Sequence, residues 1–169
     1  MKNIVLTGFM YSGKTTVGKM LERLSGRRFV DMDSYIEQRS GMPVSRIFSD
    51  YGEEWFRERE REACRALAGQ RNLVIATGGG AITFPENVIT LKKSGVIVFL
   101  DVPIEVILNR MKDDKTRPLL SGGEREETAR KLFIQRQPLY RAAADIIVDG
   151  TESPIEVAQA VLEILKSSR

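Results

Sequence analysis

Short apolar runs alternate with longer amphipathic segments along most of the chain. Five runs predict buried strands: residues 3–7, 28–30, 73–76, 96–100 and 145–148. Eight segments have helical periodicity: residues 14–24, 34–40, 43–48, 53–68, 85–93, 103–110, 125–144 and 154–166. Four of these helices begin at a proline, which the first helical turn tolerates. The alternation predicts an α/β fold, with a parallel sheet covered by helices on both faces.

One polar run, residues 112–124, interrupts this pattern. It contains Asp113, Asp114, Gly122, Gly123 and the pair Arg117-Pro118. We expect a mobile loop here. A loop of this length in a compact domain favours a functional role.

Length and composition indicate one globular domain over residues 1–169. The chain has 42% hydrophobic and 29% charged residues, as ordinary globular proteins have. No apolar run approaches the roughly 20 residues of a membrane span. Residues 1–6 enter a strand pattern directly, without the features of a secretory signal. With the single cysteine, Cys64, this predicts a cytoplasmic location without membrane attachment.

Charge and the lack of histidine limit the possible substrates, proton acceptors and metal ligands. The formal charge of +3 is spread among alternating acids and bases, which favours small anionic substrates over nucleic acid. The chain has no histidine. A proton acceptor must therefore be a carboxylate, Lys or Tyr, and a metal must be held by oxygen, which favours Mg²⁺.

A phosphate-binding loop follows the first predicted strand. Residues 8–15 read GFMYSGKT and fit the pattern G-x-x-x-x-G-K-[ST] between a strand and a helix. Backbone N–H groups would bind phosphate oxygens, Lys14 would reach the β- and γ-phosphates, and the Thr15 hydroxyl would bind Mg²⁺. The ATP contacts predicted here are Tyr11, Ser12, Gly13, Lys14, Thr15 and Thr16.

A nucleotide-dependent switch is the alternative from a non-enzymatic class. The sequence has no N-K-x-D segment for reading guanine and no D-x-x-G switch segment. An enzyme that transfers the γ-phosphoryl group of ATP is therefore favoured.

Further motifs stand in a fixed order after this loop. They are Asp31-Met32-Asp33, Phe56-Arg57 with Glu60, Gly78-Gly79-Gly80, Arg117-Pro118-Leu119-Leu120, and Arg136 before Pro138 and Tyr140. Together they resemble the shikimate kinases, a group of P-loop enzymes akin to nucleoside monophosphate kinases. The resemblance covers nearly the whole chain. It implies the three-layer P-loop NTP hydrolase fold with a five-stranded parallel sheet in the order 2-3-1-4-5. It also implies an acceptor-binding region near residues 33–60 and a lid near 112–124.

The resemblance assigns roles to the two aspartates. Asp31 would assist the metal and Asp33 would bind acceptor hydroxyls and take the proton, with Asp33 as a catalytic residue. Both follow the second predicted strand, at the carboxyl edge where α/β sheets bind ligands, and strand alternation would point them in different directions. A helix cap is the alternative reading of Asp33.

The acceptor carboxylate would be bound by two arginines. The resemblance assigns this role to Arg57 and Arg136, and a planar guanidinium suits a carboxylate. Glu60 falls on the same helical face as Arg57 and would orient it. A solvated helix face is the alternative for Arg57. By resemblance, Gly79 offers its backbone to the acceptor.

The remaining expectations concern the lid and the adenine. Arg117 would act catalytically on the transferring phosphate and contact ATP, Arg110 would pack on the adenine ring, and Ser153 would line its opposite side. Tyr11 departs from the family pattern, which has glycine or a small residue there.

The sequence thus predicts a cytoplasmic, monomeric shikimate kinase that uses Mg²⁺ and ATP and makes shikimate 3-phosphate on the route to aromatic amino acids. Gluconate kinase and nucleoside monophosphate kinase are the enzymatic alternatives.

Overall fold

A five-stranded parallel sheet forms the centre of the computed structural model, which describes residues 1–114 and 122–168. The strands are β1 (Asn3–Thr7), β2 (Arg28–Asp31), β3 (Leu73–Ala76), β4 (Gly95–Asp101) and β5 (Ile146–Asp149). Their order is β2-β3-β1-β4-β5, and every neighbouring pair is parallel. The predicted strand order 2-3-1-4-5 is therefore confirmed.

Seven α-helices connect or follow these strands in the described residues. They are α1 (Lys14–Ser25), α2 (Met32–Ser40), α3 (Val44–Ala68), α4 (Pro85–Lys92), α5 (Ile104–Asp113), α6 (Gly122–Ala143) and α7 (Pro154–Ser167). A short 3₁₀ helix, Ala81–Thr83, was not predicted. The helices cover both faces of the sheet, as expected for parallel strands joined by helical crossovers.

Two hydrophobic clusters, one on each face of the sheet, hold the helices against the strands. One cluster contains Leu21 of α1 and Val157 and Val161 of α7. The larger cluster contains residues of α2 to α6, among them Phe56 and Tyr140. All five residues of β1 are buried, because this central strand is covered on both faces. The loop after β1 is thereby anchored at the middle of the sheet.

Several boundaries differ from the prediction, and two of these differences affect the site. The second strand ends at Asp31 and α2 begins at Met32, so Asp33 lies in a helical turn and strand alternation does not orient it. The two helices predicted at 43–48 and 53–68 form one helix, α3, with a kink at Gly52, where φ is 85° and ψ is 172°. Glycine permits this conformation, and the kink lies between the two helices that the sequence predicted.

Both ends of the predicted loop at 112–124 are helical. Helix α5 continues to Asp113 and α6 begins at Gly122. Residues 115–121, and with them Arg117, lie outside the described residues. In the described part of the chain, no helix is long and apolar enough to cross a membrane.

Candidate active site

The phosphate loop joins β1 to α1 at the carboxyl edge of the sheet. Gly13 has a φ of 96° and Tyr11 a φ of 61°, and left-handed residues within such a turn direct backbone N–H groups towards a common point. A β-carbon at Gly8 would lie 2.7 Å from Oγ of Ser12, so the loop closes tightly on itself. With the start of α1 directly behind it, the loop can bind an anion.

Lys14 reaches back over this loop. Its Nζ donates to the carbonyl oxygens of Gly8 at 2.7 Å and Phe9 at 3.0 Å. Burial lowers the pKa of Lys14 to about 8, although the carboxylates of Asp33 and Asp31 oppose the shift. The ammonium group thus stands over the loop with carboxylates nearby. Nucleotide phosphates can replace the two carbonyl contacts.

Asp31 and Asp33 have different surroundings. Asp31 is the N-cap of α2, and its Oδ1 accepts a hydrogen bond from the Ser34 N–H at 2.9 Å. The cap is therefore Asp31, not Asp33. Oδ1 of Asp33 is buried and has no hydrogen-bond partner within the described part of the chain. Burial and the neighbouring Asp31 raise the pKa of Asp33, against the opposing effect of Lys14.

Arg57 lies in α3 and is largely buried rather than on a solvated face. Its side chain is 13% exposed, and Nη1 donates to Oε1 of Glu60, itself 1% exposed, at 2.9 Å. Its Nη2 donates to Oε1 of Glu53 at 3.3 Å. Burial raises the pKa of Glu60, and the charge and hydrogen bond of Arg57 partly offset that effect. Glu60 therefore orients Arg57 as the helical spacing predicted.

Three glycines, residues 78–80, form the turn after β3, and the side chains of Asp33, Arg57 and Arg136 lie against them. We call this turn the glycine floor. A β-carbon at Gly78 would come within 2.6 Å of Oδ1 of Asp33, and one at Gly80 within 2.5 Å of Nη1 of Arg57. At Gly79 it would come within 2.9 Å of Nη1 of Arg136. Only glycine lets three functional side chains approach the backbone this closely.

Tyr140 fixes the middle of this floor. Its side chain is fully buried, and its hydroxyl donates to the carbonyl oxygen of Gly79 at 2.5 Å. Burial raises the pKa of Tyr140, while Arg136, which hydrogen-bonds to it, opposes the shift. The sequence motif included Tyr140, but its contact with Gly79 was not predicted, because the two residues are distant in sequence.

A cavity of about 400 Å³ joins the phosphate loop to this floor. It is lined on one side by Lys14, Thr15 and Thr16 and on the other by Asp33, Gly79 and Arg136. Asp31 and Asp114 also line it. Sequence reasoning did not select Asp114, since nothing in the polar run 112–124 distinguished it from its neighbours.

A second cavity, of about 370 Å³, also borders the phosphate loop, and Tyr11 and Gly13 line both cavities. Arg110, Gly150, Glu152 and Pro154 line the second cavity together with Gly13. Arg110 donates to the carbonyl oxygens of Tyr11 at 2.7 Å and Gly150 at 3.2 Å. Ser153 is next to the lining residues, but its side chain forms a capping box with Glu156 at the start of α7.

The oxygen atoms around the first cavity suit Mg²⁺. Thr15, Thr16, Asp31 and Asp33 are among its lining residues, and Mg²⁺ prefers hard oxygen ligands such as hydroxyls and carboxylates. Within residues 1–114 and 122–168, no group of three or more His, Cys, Asp or Glu side chains could hold a metal ion. This agrees with an ion bound by one or two protein groups, water and substrate phosphates.

The structure therefore brings most of the predicted site residues to one edge of the sheet. The predicted phosphate, acceptor and metal residues line the first cavity or adjoin it through the glycine floor. Arg110 lies at the second cavity, with Ser153 beside it as a helix cap. Arg117 is outside the described residues, and its role remains a prediction.

Comparisons with known proteins agree with this geometry. The family model described as shikimate kinase matches residues 10–166. A shikimate kinase from Nitrosomonas europaea is 44% identical over 167 residues, which cover 98% of this chain and 79% of the relative. The structure of a shikimate kinase from Acinetobacter baumannii in complex with shikimate has a TM-score of 0.91 and 40% identity, covering 100% of this chain and 95% of the other. A gluconokinase from Sinorhizobium meliloti, at 18% identity and a TM-score of 0.61 over 98% of this chain and 92% of the other, shares the fold.

Proposed function

The chain belongs to the shikimate kinase family, and we propose that it transfers the γ-phosphoryl group of ATP to the 3-hydroxyl of shikimate. The products are ADP and shikimate 3-phosphate. The observation that carries this proposal is the glycine floor, where three successive glycines lie against Asp33, Arg136 and Arg57. The site thus offers two guanidinium groups and one carboxylate to an acceptor that has a carboxylate and hydroxyls.

Arg57 and Arg136 bind the acceptor carboxylate in this proposal. Two arginines can give charge-assisted hydrogen bonds to both carboxylate oxygens. Glu60 keeps Arg57 in place before the acceptor binds, which reduces the side-chain entropy lost on binding. The acceptor hydroxyls then lie between the floor and the phosphate loop. Within the predicted acceptor-binding region, residues 33–60, Asp33 and Arg57 are the side chains that contact the acceptor in this proposal.

Asp33 binds the reacting hydroxyl and receives its proton. The hydroxyl oxygen forms the new bond to the γ-phosphorus, and the bond between that phosphorus and the oxygen bridging to the β-phosphate breaks. ADP leaves with the electron pair of that bond. Asp33 lines the 400 Å³ cavity, so an acceptor hydroxyl bound there can reach its carboxylate.

The phosphate loop holds the nucleotide for this transfer. Backbone N–H groups of the loop and the ammonium of Lys14 bind the β- and γ-phosphates. Thr15 and Asp31 would hold Mg²⁺, and the 370 Å³ cavity beside Arg110 receives the nucleoside. When bound, Mg²⁺ neutralises charge on the phosphates.

An acceptor panel tests the function directly. The purified protein with Mg²⁺ and ATP is offered shikimate, gluconate or CMP in a coupled assay for ADP. We expect turnover with shikimate and none above background with the other two. The variant Lys14→Met should lose activity, whereas Lys19→Met, an exposed lysine of the same helix, should retain it. Turnover with gluconate or CMP instead of shikimate would refute the proposed acceptor.

We also propose a cytoplasmic monomer. The single cysteine, Cys64, is buried and free, and burial raises its pKa to about 12, so it is an unreactive thiol that suits a reducing compartment. Gel filtration with light scattering tests the monomer: a mass near 19 kDa is expected, and twice that mass would refute it.

A further inference from the structure

Tyr11 stands within the phosphate loop in a backbone conformation that non-glycine residues rarely adopt. Its φ is 61°, in the left-handed region where the β-carbon is crowded by backbone. Within the described part of the chain, only Asn72 shares this feature among non-glycine residues. A tyrosine keeps this conformation only where its contacts compensate for the strain.

The phenol hydroxyl of Tyr11 contacts two helix ends that are 103 and 114 residues away from it in sequence. It donates to Oδ2 of Asp114, the C-cap of α5, at 2.7 Å. It also accepts a hydrogen bond from Nη2 of Arg125, near the start of α6, at 3.0 Å. Both partners are charged side chains, and hydrogen bonds to charged groups are stronger than those between neutral groups. The side chain thus fixes the loop to α5 and α6 together.

The backbone of Tyr11 is held from the second cavity. Its carbonyl oxygen accepts from Nη1 of Arg110 at 2.7 Å, while Nη2 of the same arginine donates to the carbonyl oxygen of Gly150 at 3.2 Å. Tyr11 also lines both cavities, the one that contains Lys14 and the one that contains Arg110. The residue therefore sits where the proposed phosphate and nucleoside sites meet.

We propose that Tyr11 is a positioning residue for the nucleotide, and this inference rests on the proposed function. Its phenol, bound to Asp114 and Arg125, keeps the phosphate loop in its anion-binding conformation before the nucleotide arrives. A loop that is already ordered loses less conformational freedom on binding, so affinity for the nucleotide rises. The effect acts through the loop backbone.

The variant Tyr11→Phe removes only the hydroxyl. We expect the dissociation constant of ADP, measured by calorimetry without an acceptor, to rise about 3- to 10-fold, as the loss of a hydrogen bond to a charged group predicts. Shikimate affinity should stay within about twofold of wild type. General destabilisation would weaken the binding of both ligands, so a loss confined to ADP indicates an effect on the phosphate loop. Tyr11→Gly should weaken ADP binding at least as much without lowering the melting temperature, because glycine adopts this φ without strain.

Tyr35→Phe is the matched control. Its hydroxyl accepts from Nη1 of Arg39 at 2.9 Å in an exposed contact of α2, so ADP affinity should not change. Should Tyr11→Phe fail to fold, Asp114→Ala removes the acceptor of the same hydrogen bond with Tyr11 in place and should also weaken ADP binding. The inference would be overturned if folded Tyr11→Phe bound ADP as tightly as wild type does. The same holds for the Asp114 variant if it has to replace Tyr11→Phe. A wild-type protein that binds ADP yet does not phosphorylate shikimate would refute only the proposed acceptor.

Discussion

Asp33 is surrounded by groups that disfavour its negative charge. It is buried beside Asp31, and both effects raise its pKa, while Lys14 lowers it. A carboxylate with a raised pKa is a stronger base than an ordinary aspartate, and a general base works best when its pKa approaches the working pH. The residue is therefore suited to receive a proton as well as to position a hydroxyl.

Asp33→Asn separates these two roles. Asparagine has nearly the same size and can still hydrogen-bond to a hydroxyl, but it cannot accept the proton. We expect kcat to fall about 100-fold or more, while the shikimate dissociation constant, measured by calorimetry, changes much less. Asp50→Asn, the same change at an exposed residue that pairs with Arg46, should have no effect. Equal losses in kcat and affinity would reduce Asp33 to a binding residue.

Glu60 orients Arg57 before a ligand binds, and the burial of its carboxyl affects the free energy of unfolding. The pKa of this buried carboxyl is raised from its ordinary value of 4.5, with burial as the main cause. The native state therefore binds the proton more tightly than the unfolded state does. Between pH 4.5 and the raised pKa, the free energy of unfolding falls as pH increases, because the native state holds more protons.

Glu60→Gln should remove the fall in the free energy of unfolding that the Glu60 carboxyl causes as pH rises. The variant should become more stable relative to wild type as pH rises through that window, measured by urea unfolding at several pH values. Shikimate affinity should fall about 3- to 10-fold, because Arg57 loses a charged partner. Glu62→Gln, whose carboxylate is exposed and pairs with Arg59, serves as the control. Parallel stability profiles for wild type and Glu60→Gln would contradict the argument.

At the scale of elements, helix α3 delivers Arg57 and Glu60 to the site, and its kink at Gly52 sets the direction of approach. The kink has φ 85° and ψ 172°, a combination that is accessible essentially to glycine alone. No atom lies within 4 Å of a β-carbon built at Gly52, apart from its chain neighbours and local helix backbone. Any effect of a side chain there therefore comes from backbone strain and not from a steric clash.

Gly52→Ala should lower the free energy of unfolding by about 1–3 kcal/mol. For a chain of this size, each kcal/mol corresponds to a melting temperature decrease of roughly 2–4 °C. Gly69→Ala is the matched control, since Gly69 ends the same helix with φ −70° and ψ −13°, which alanine adopts readily. A Gly52→Ala protein as stable as wild type would mean that the helix can straighten without cost.

The succession of strands and helices along the chain could be predicted because apolar periodicity and proline positions are local signals. Boundaries that depend on a capping side chain were less accurate. Asp31 ends β2 and caps α2 through the Ser34 N–H, whereas the sequence pattern began this helix at residue 34 and used strand alternation to orient Asp33. The functional pairs along one helix, such as Arg57 with Glu60, were also predictable from their spacing.

Contacts between distant residues were not predictable in the same way. No local pattern indicates that the Tyr11 phenol meets Asp114 and Arg125, which are 103 and 114 residues away. Likewise, the triple glycine predicted a turn near a ligand, but not which side chain faces each glycine. Such pairings depend on how helices pack across the sheet edge, and a single sequence does not encode this locally.

At the scale of the whole molecule, the proposed binding groups of the described residues gather near one edge of the sheet. The loop after β1, the end of β2 and the turn after β3 lie there, where the carboxyl ends of parallel strands commonly bind ligands, and α3 and α6 add Arg57 and Arg136. The residue after β5, Gly150, lines the proposed nucleoside cavity. One cavity contains Gly79 and Arg136 and the other contains Arg110 and Gly150, so the acceptor and the nucleoside should occupy separate subsites.

Thermal unfolding with each ligand and with both tests whether these subsites are separate. A ligand at 100 times its dissociation constant stabilises the native state by about 2.7 kcal/mol, which corresponds to an increase of roughly 5–10 °C in the melting temperature. We expect shikimate and ADP each to give such an increase and the two increases to add. Arg57→Lys keeps the charge but loses the planar fork, so at the wild-type ligand concentrations it should retain the ADP shift and lose about half or more of the shikimate shift. A combined shift no greater than the larger single shift would mean that the two ligands compete for one site, which would contradict the assignment of the acceptor and the nucleoside to separate cavities.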